Sequence, residues 1–169
     1  MEDISKRTWS FFEDHINEEN NYLIPDNYQE GRKNKIVKRT SSTNIGLSML
    51  AVISSYDLGY IEEEKALEIL KNIIYTIESL QKWNGHLYNW YNIKTKQPLI
   101  PRYVSTVDSG NFVGYLYVVK AWLEEMSEVR YRKSDVRLQN SDLRNKNTTR
   151  NYRQTNKKHR LHTLILQRT

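Results

Sequence analysis

Three short segments of this 169-residue chain concentrate the side chains that do chemistry. The densest, residues 101–111, holds Arg, Tyr, Ser, Thr, Asp and Asn, and the other two are residues 25–30 and 39–44. A fold seldom needs so many different polar groups together, whereas a ligand site does. Carboxylates and amides bond paired hydroxyl groups, and aromatic rings offer an apolar platform. Residues 25–30 therefore suit recognition of a sugar, and residues 39–44 could present an anion or hydroxyl site at a helix N-terminus.

Each segment also has a purely structural interpretation. Residues 25–30 could form a solvated loop with an Asx-turn, and residues 39–44 could simply cap a helix. A further stretch, residues 86–91, could line a cleft or pack as core aromatics with His86 hydrogen-bonded. Asp108 could be a general acid or base, or only a helix cap. Glycoside cleavage normally needs two carboxylates, and spacing assigns no such pair, so the catalytic residues stay unknown.

The spacing of apolar residues predicts the helices that must position these segments. The predicted helices cover residues 4–16, 44–57, 62–83 and 108–122. A hydroxyl group within residues 41–43 caps the second helix, Gly59 ends it, and Asp108 or Ser109 caps the fourth. Residues 17–38 and 85–101 lack this period and are expected to be long loops, which are commonly functional.

Composition divides the chain into two unlike parts. Hydrophobic residues make up 38%, and residues 1–126 carry a net charge of −3 whereas residues 127–169 carry +9. The basic part is rich in Arg, Lys, Asn, Gln and Thr, a composition that predicts disorder. It could alternatively bind the phosphates of nucleic acid without sequence specificity, or another anionic surface. We therefore expect a domain over residues 1–126 and a basic tail over residues 127–169.

Several function classes are not supported by the sequence. Cysteine is absent, and no glycine-rich phosphate loop, His-Glu-x-x-His helix or serine nucleophile elbow occurs. We accordingly expect no cofactor and no metal. The N-terminus is charged, and no apolar run approaches the roughly 18 residues of a membrane span, so we expect a cytoplasmic protein without a membrane segment.

Five co-linear motifs carry a resemblance to a known family. They are Thr8–Asp14, Leu23–Glu30, Arg39–Leu47, Asn89–Tyr91 and Tyr103–Asn111. Over residues 5–125 the chain resembles the glucoamylase-like domain of cyclic β-1,2-glucan synthases, a group associated with glycosyltransferase family 36 and cellobiose phosphorylases. Lys38 stands where that family usually has His, and Ser42 where it usually has Pro.

The resemblance implies an all-α fold, an incomplete (α/α)6 barrel (helical toroid) with about four of its twelve helices. It implies a part in carbohydrate metabolism, by glycosyl transfer or glycoside cleavage on β-1,2-glucan or a related oligosaccharide, in a parent protein associated with a membrane. The residues that it places in the substrate-binding cleft are Asp26, Asn27, Gln29, Arg39, Thr40, Asn44, Tyr91, Tyr103, Ser105, Thr106, Asp108 and Asn111.

Three hypotheses follow about the chain itself. The first is an N-terminal fragment of such a domain, inactive alone because the catalytic carboxylate pair is missing, with a tail read out of frame after Met126. The second is a nonenzymatic interaction protein with a basic nucleic-acid- or anion-binding tail. The third is a partly molten body, because an incomplete toroid leaves apolar helices uncovered.

Overall fold

The computed structural model describes residues 2–132, and the described part is helical, as expected. Its helices are α1 (Glu2–His15), α2 (Ser42–Asp57), α3 (Glu63–Ser79) and α4 (residues 106–132), with a 3-10 turn at Glu18–Asn20. Contacts divide the chain into a unit Met1–Trp122 and a unit that starts at Leu123. Residues 127–132, the start of the predicted low-order tail, are helical and belong to α4. The expectations for the rest of the tail, residues 133–169, including disorder and an out-of-frame origin, lie outside the described residues.

Helix α2 is the centre of the first unit and packs against both α1 and α3. Its N-cap is Ser41, whose hydroxyl oxygen accepts the backbone N–H of Asn44 at 3.1 Å. Ile45, Met49 and Val52 are fully buried. Gly59 follows the helix in the left-handed conformation, φ +72°, as predicted.

Helix α3 ends at Ser79, so the prediction that it continues to Trp83 is wrong. Strand β2 (Lys82–Trp83) instead pairs antiparallel with β3 (His86–Leu87). The two residues between them, Asn84 and Gly85, have φ values of +47° and +83°. Asn-Gly at the centre of a two-residue hairpin favours this left-handed backbone, and the resulting turn overrides the apolar helical period.

A second pair of short strands joins two distant loops. Strand β1 (Arg39–Thr40) pairs antiparallel with β4 (Tyr91–Asn92), with Arg39 opposite Asn92 and Thr40 opposite Tyr91. The remainder of residues 17–38 is largely irregular, in agreement with the predicted long loop. This pairing brings the loop that precedes α2 alongside the loop that follows α3.

Helix α4 begins at residue 106, earlier than predicted. Ser105 supplies the cap, because its hydroxyl oxygen accepts the backbone N–H of Asp108 at 3.2 Å. The prediction that Asp108 or Ser109 caps this helix is therefore wrong. Tyr115 of α4 lies directly against Gly46 of α2. Within residues 2–132, no helix is both long and apolar enough to cross a membrane.

Candidate functional site

The candidate site is built around the carboxylate of Asp26, which lies in the loop before β1. Its Oδ2 accepts hydrogen bonds from Arg39 Nε and Nη2 at 3.2 and 3.0 Å and from Asn27 Nδ2 at 3.0 Å. Its Oδ1 accepts from Asn44 Nδ2 in the first turn of α2, also at 3.0 Å. Four donor atoms therefore hold this carboxylate in a single orientation.

The Arg39 guanidinium also stacks on an aromatic ring. Its Cζ lies 4.0 Å from the centroid of Trp90, just before β4. The β1–β4 pairing explains the contact, because Arg39 lies in β1 and Trp90 immediately precedes Tyr91 of β4. A delocalised cation is attracted by the face of an indole ring. Arg39 is thus fixed by a carboxylate and by a ring, although its side chain remains 43% exposed.

A second carboxylate, Asp108, lies in the first turns of α4 and contacts the start of α2. Thr43 Oγ1 donates to Asp108 Oδ1 at 2.6 Å, and Asn111 Nδ2 donates to the same Thr43 oxygen at 3.5 Å. Two consecutive residues in the first turn of α2 therefore bond the two carboxylates: Thr43 bonds Asp108 and Asn44 bonds Asp26. Spacing along the chain could not assign this pair because 82 positions separate Asp26 from Asp108.

Asn89 connects the two parts of the site. The amide orientation that satisfies its neighbours directs its nitrogen to Asp108 Oδ2 at 3.1 Å. Its oxygen then accepts from Trp90 Nε1 at 2.5 Å and from the Tyr103 hydroxyl at 2.6 Å. The backbone N–H of Asn89 also donates to the Tyr103 carbonyl at 2.8 Å. The network therefore runs from Asp26 through Arg39, Trp90 and Asn89 to Asp108.

We call this network the carboxylate cluster. Its members are Asp26, Arg39, Thr43, Asn44, Asn89, Trp90, Tyr103, Asp108 and Asn111. It combines two carboxylates, three amides, a guanidinium, a threonine hydroxyl and two aromatic side chains. Tyr103 and Asn111 are exposed, whereas Asp108 is half-buried, so the cluster has an accessible edge. An arrangement of this kind can bond the adjacent hydroxyl groups of a pyranose ring.

Two residues expected in the cleft lie inside the protein. Tyr91 is fully buried, and its hydroxyl donates to the Gln81 carbonyl at 2.7 Å while accepting the Tyr88 N–H at 2.8 Å. Burial raises the pKa of Tyr91 to about 12. Thr40 is fully buried too, and its hydroxyl has no partner in the described part of the chain. Neither side chain is therefore accessible to a ligand.

The remaining expected residues have local roles. Gln29 donates its backbone N–H to the Lys35 carbonyl, and no hydrogen bond joins its side chain to the cluster within residues 2–132. Asn27 bonds Asp26 directly. Ser105 is the α4 cap, and Thr106 is exposed as the first residue of that helix. The expected set therefore contains residues that only support the cluster.

Three members of the cluster are absent from the expected set, namely Thr43, Asn89 and Trp90. Thr43 lies in a segment that could either cap a helix or present a hydroxyl site, and the structure gives the cap to Ser41. Asn89 and Trp90 belong to an amide–aromatic segment that packing could also explain. The signal that could have identified Trp90 is its place next to Asn89, since an amide beside an indole ring suits a polar ligand.

Comparison with known proteins places this geometry in context. No protein-family model matches the chain. A 128-residue region, 76% of the chain, is 43% identical to cyclic beta-(1,2)-glucan synthase NdvB of Rhizobium meliloti (strain 1021). The chain spans 4% of the length of that relative. The resemblance to cyclic β-1,2-glucan synthases is therefore confirmed at the level of sequence.

Solved structures confirm the fold. A protein of Bacteroides fragilis NCTC 9343 that is designated a glucoamylase matches with a TM-score of 0.57 and 21% identity, over 69% of this chain and 30% of that one. An endo-beta-1,2-glucanase of Chitinophaga pinensis, solved with sophorotriose and glucose, matches with a TM-score of 0.57 and 20% identity, over 66% and 28%. The described helices therefore correspond to part of a glucoamylase-like helical barrel.

Proposed function

We propose that the carboxylate cluster is one wall of a glucan-binding cleft and that its ligand is a β-1,2-linked glucan. The name of the synthase relative and that of the endo-glucanase both specify this linkage. The chemistry of the cluster supports the same ligand class, because it offers several hydrogen-bond acceptors and donors to a neutral polyhydroxylated molecule.

The observation that carries the proposal is the pair of carboxylates at the start of α2. Asn44 bonds Asp26, and the preceding residue, Thr43, bonds Asp108. Asp26 comes from a loop and Asp108 from α4, 82 positions further along the chain. A guanidinium, three amides and a hydroxyl donate hydrogen bonds to these two carboxylates. Two carboxylates held in fixed orientations suit a ligand whose hydroxyl groups bond to carboxylates.

The two carboxylates have different roles in this proposal. Asp26 accepts bonds from Arg39, Asn27 and Asn44, so it orients those side chains. Asp108 accepts bonds from neutral donors on both oxygens and has lone pairs left for ligand hydroxyls. Asp108 is therefore the carboxylate that contacts glucan, with the exposed Tyr103 and Asn111 beside it.

Binding without turnover is the activity that we propose for this chain alone. Glycoside cleavage uses a carboxylic acid that protonates the leaving oxygen and a second carboxylate that acts as base or nucleophile. Asp26 suits neither role, because Arg39 and Asn27 occupy its Oδ2 and Asn44 bonds its Oδ1. That leaves Asp108 as a single available carboxylate in the cluster, which suffices for binding.

Calorimetric titration of the full 169-residue chain with linear β-1,2-linked gluco-oligosaccharides tests this proposal. We expect saturable binding that falls at least about tenfold in Asp108→Asn, because the variant exchanges a charged acceptor for a neutral one. Asp57→Asn is the matched control, since Asp57 is exposed at the end of α2, away from the cluster. It should bind as the wild type does.

Two results would contradict the proposal. Equal loss of affinity in Asp57→Asn and Asp108→Asn would show that the cluster is not the binding site. Equal binding of β-1,3-linked oligosaccharides would show that the linkage is not recognised. The absence of turnover is checked in the same samples by chromatography of the oligosaccharides, and shortened products would overturn that part.

A further inference from the structure

Helix α4 carries apolar and small residues on two opposite faces. One face packs on α2, because Tyr115 lies against Gly46 and the ring centroids of Trp122 and Tyr56 are 5.5 Å apart. The opposite face is exposed over about three turns. We call it the second stripe, and its members are Gly110, Val113, Gly114, Tyr117 and Ala121.

The second stripe has the spacing of a buried helix face. Its members lie 3, 4, 7 and 11 positions after the first one, so they share one side of an α-helix. Val113 is nevertheless 50% exposed and Tyr117 is 70% exposed. Between Phe112 and Leu123 the only charged residue is Lys120. A helix that is apolar on all sides is normally buried on all sides, so this face indicates a further packing partner.

The two glycines of the second stripe point to a partner that approaches closely. Glycine lowers the stability of a helix relative to alanine. Neither Gly110 nor Gly114 has a positive φ, and a Cβ at either position would meet nothing within 4 Å. Backbone conformation and packing within residues 2–132 therefore give no reason for glycine here. A second helix gives one, because the distance between two helix axes depends on the side chains at their contact.

The solved glucoamylase-like structures identify the kind of element that covers this face. The chain matches 30% of the Bacteroides fragilis protein and 28% of the Chitinophaga pinensis enzyme. More than two-thirds of each of those chains is therefore not matched. In a closed ring of helices every helix has neighbours on both sides, whereas the second stripe of α4 is exposed within residues 2–132. The complementary surface is thus expected on the unmatched helices of such a ring.

We propose that the second stripe is the docking surface for an amphipathic helix from the part of a glucoamylase-like barrel that the described helices do not supply. The stripe is about 16 Å long at 1.5 Å per residue, so one helix of ordinary length covers it. The proposal does not depend on glucan binding, because the second stripe shares no residue with the carboxylate cluster.

Co-expression with a defined partner tests this docking surface. The full 169-residue chain carries an affinity tag. The probe is an untagged fragment of the Rhizobium meliloti synthase that omits its matched region and contains the residues flanking that region. The two proteins are 43% identical over the match, so the flanking residues should fit the surface of this chain. We expect the tagged chain to retain the fragment in equal molar amount, as measured by light scattering of the purified complex.

Two variants separate docking from folding. Tyr117→Asp places a charge at an exposed position, so the isolated chain should stay folded while retention of the fragment falls at least about tenfold. Tyr75→Asp is the matched control, since Tyr75 is 58% exposed on α3, and it should retain the fragment as the wild type does. Gly114→Ala should weaken retention about tenfold without lowering the unfolding temperature of the isolated chain, because its Cβ meets only the partner.

Three outcomes would overturn the proposal. The first is a wild-type chain that retains no fragment. The second is equal retention by the wild type, Tyr117→Asp and Gly114→Ala, which would place the contact elsewhere on the chain. The third is a dimer of the isolated chain in sedimentation experiments that Tyr117→Asp dissociates, which would assign the second stripe to a second copy.

Discussion

Thr43 donates its hydroxyl hydrogen to Asp108 at 2.6 Å across 65 positions of sequence. The bond joins the first turn of α2 to the first turns of α4. Side-chain bonds of this kind fix the separation of two helix ends, which backbone bonds within each helix cannot do. The geometry of the proposed cleft therefore depends on this contact.

Thr43→Val should weaken both folding and binding. Valine keeps the shape of threonine but removes the donor, so we expect the free energy of unfolding to fall by about 1 kcal/mol. Glucan affinity should fall as well, because Asp108 is no longer held. Urea denaturation and calorimetry measure the two effects. Thr8→Val is the control, since the exposed Thr8 bonds the Ile4 carbonyl of its own helix, and it should change neither quantity.

Arg39→Lys tests whether geometry or charge matters at Asp26. Lysine keeps the charge but loses the paired donation to Oδ2 and the planar stack on Trp90. We expect a loss of about 1–2 kcal/mol in the free energy of unfolding. Arg32→Lys on the exposed part of the same loop should have no effect. Equal stability of the Arg39 variant and the wild type would refute a role for the stack.

Gly46→Ala should destabilise the contact between α2 and α4. A Cβ at this position would lie 2.1 Å from Tyr115 Cδ2 and 2.9 Å from Cγ, so the ring must move. Overpacking of this kind costs about 1–3 kcal/mol, more than the gain of roughly 1 kcal/mol in helix propensity. Thermal unfolding should therefore occur at a lower temperature.

Gly114→Ala is the matched control for that change, because a Cβ there meets nothing within 4 Å. We expect this variant to be as stable as the wild type or more stable. Removal of the ring in Tyr115→Ala should reverse the effect of Gly46→Ala, so that alanine at position 46 becomes stabilising. If it stays destabilising in that background, the steric explanation is wrong.

Stability should fall at alkaline pH because of Tyr91. Burial raises its pKa to about 12 in the folded protein, against about 10 when unfolded. The unfolded chain therefore loses its phenolic proton first. Below pH 10 this difference in pKa contributes up to about 2–3 kcal/mol to the free energy of unfolding, and the contribution is lost between pH 10 and 12. Urea denaturation across this range measures it.

Tyr91→Phe should remove this part of the pH dependence, and it should also lower stability at neutral pH because the Gln81 carbonyl loses its donor. Tyr117→Phe provides the comparison, since Tyr117 is 70% exposed and its hydroxyl is accessible to water. If the loss of stability between pH 10 and 12 is unchanged in Tyr91→Phe, groups other than Tyr91 cause it.

The sequence predicted much of the helical framework. Ser41 as a competent cap and Gly59 as a left-handed terminus follow from local chemistry, and both are confirmed. The apolar spacing predicts α3 to continue to Trp83, whereas Asn84-Gly85 is a strong local hairpin signal and the helix ends at Ser79. Similarly, the sequence predicted Asp108 or Ser109 as the cap of α4, and only the path of the chain selects Ser105.

The sequence by itself determined which segments are helices, which are loops, and which polar residues are too dense to be ordinary surface. Those properties depend on neighbours a few positions apart. Only the tertiary structure decided that Thr43 and Asn44 hold two distant carboxylates, that Arg39 stacks on Trp90, and that Tyr91 is buried. These contacts join residues from separate helices, strands and loops, and their geometry is set by the strand pairing and helix packing that bring those elements together.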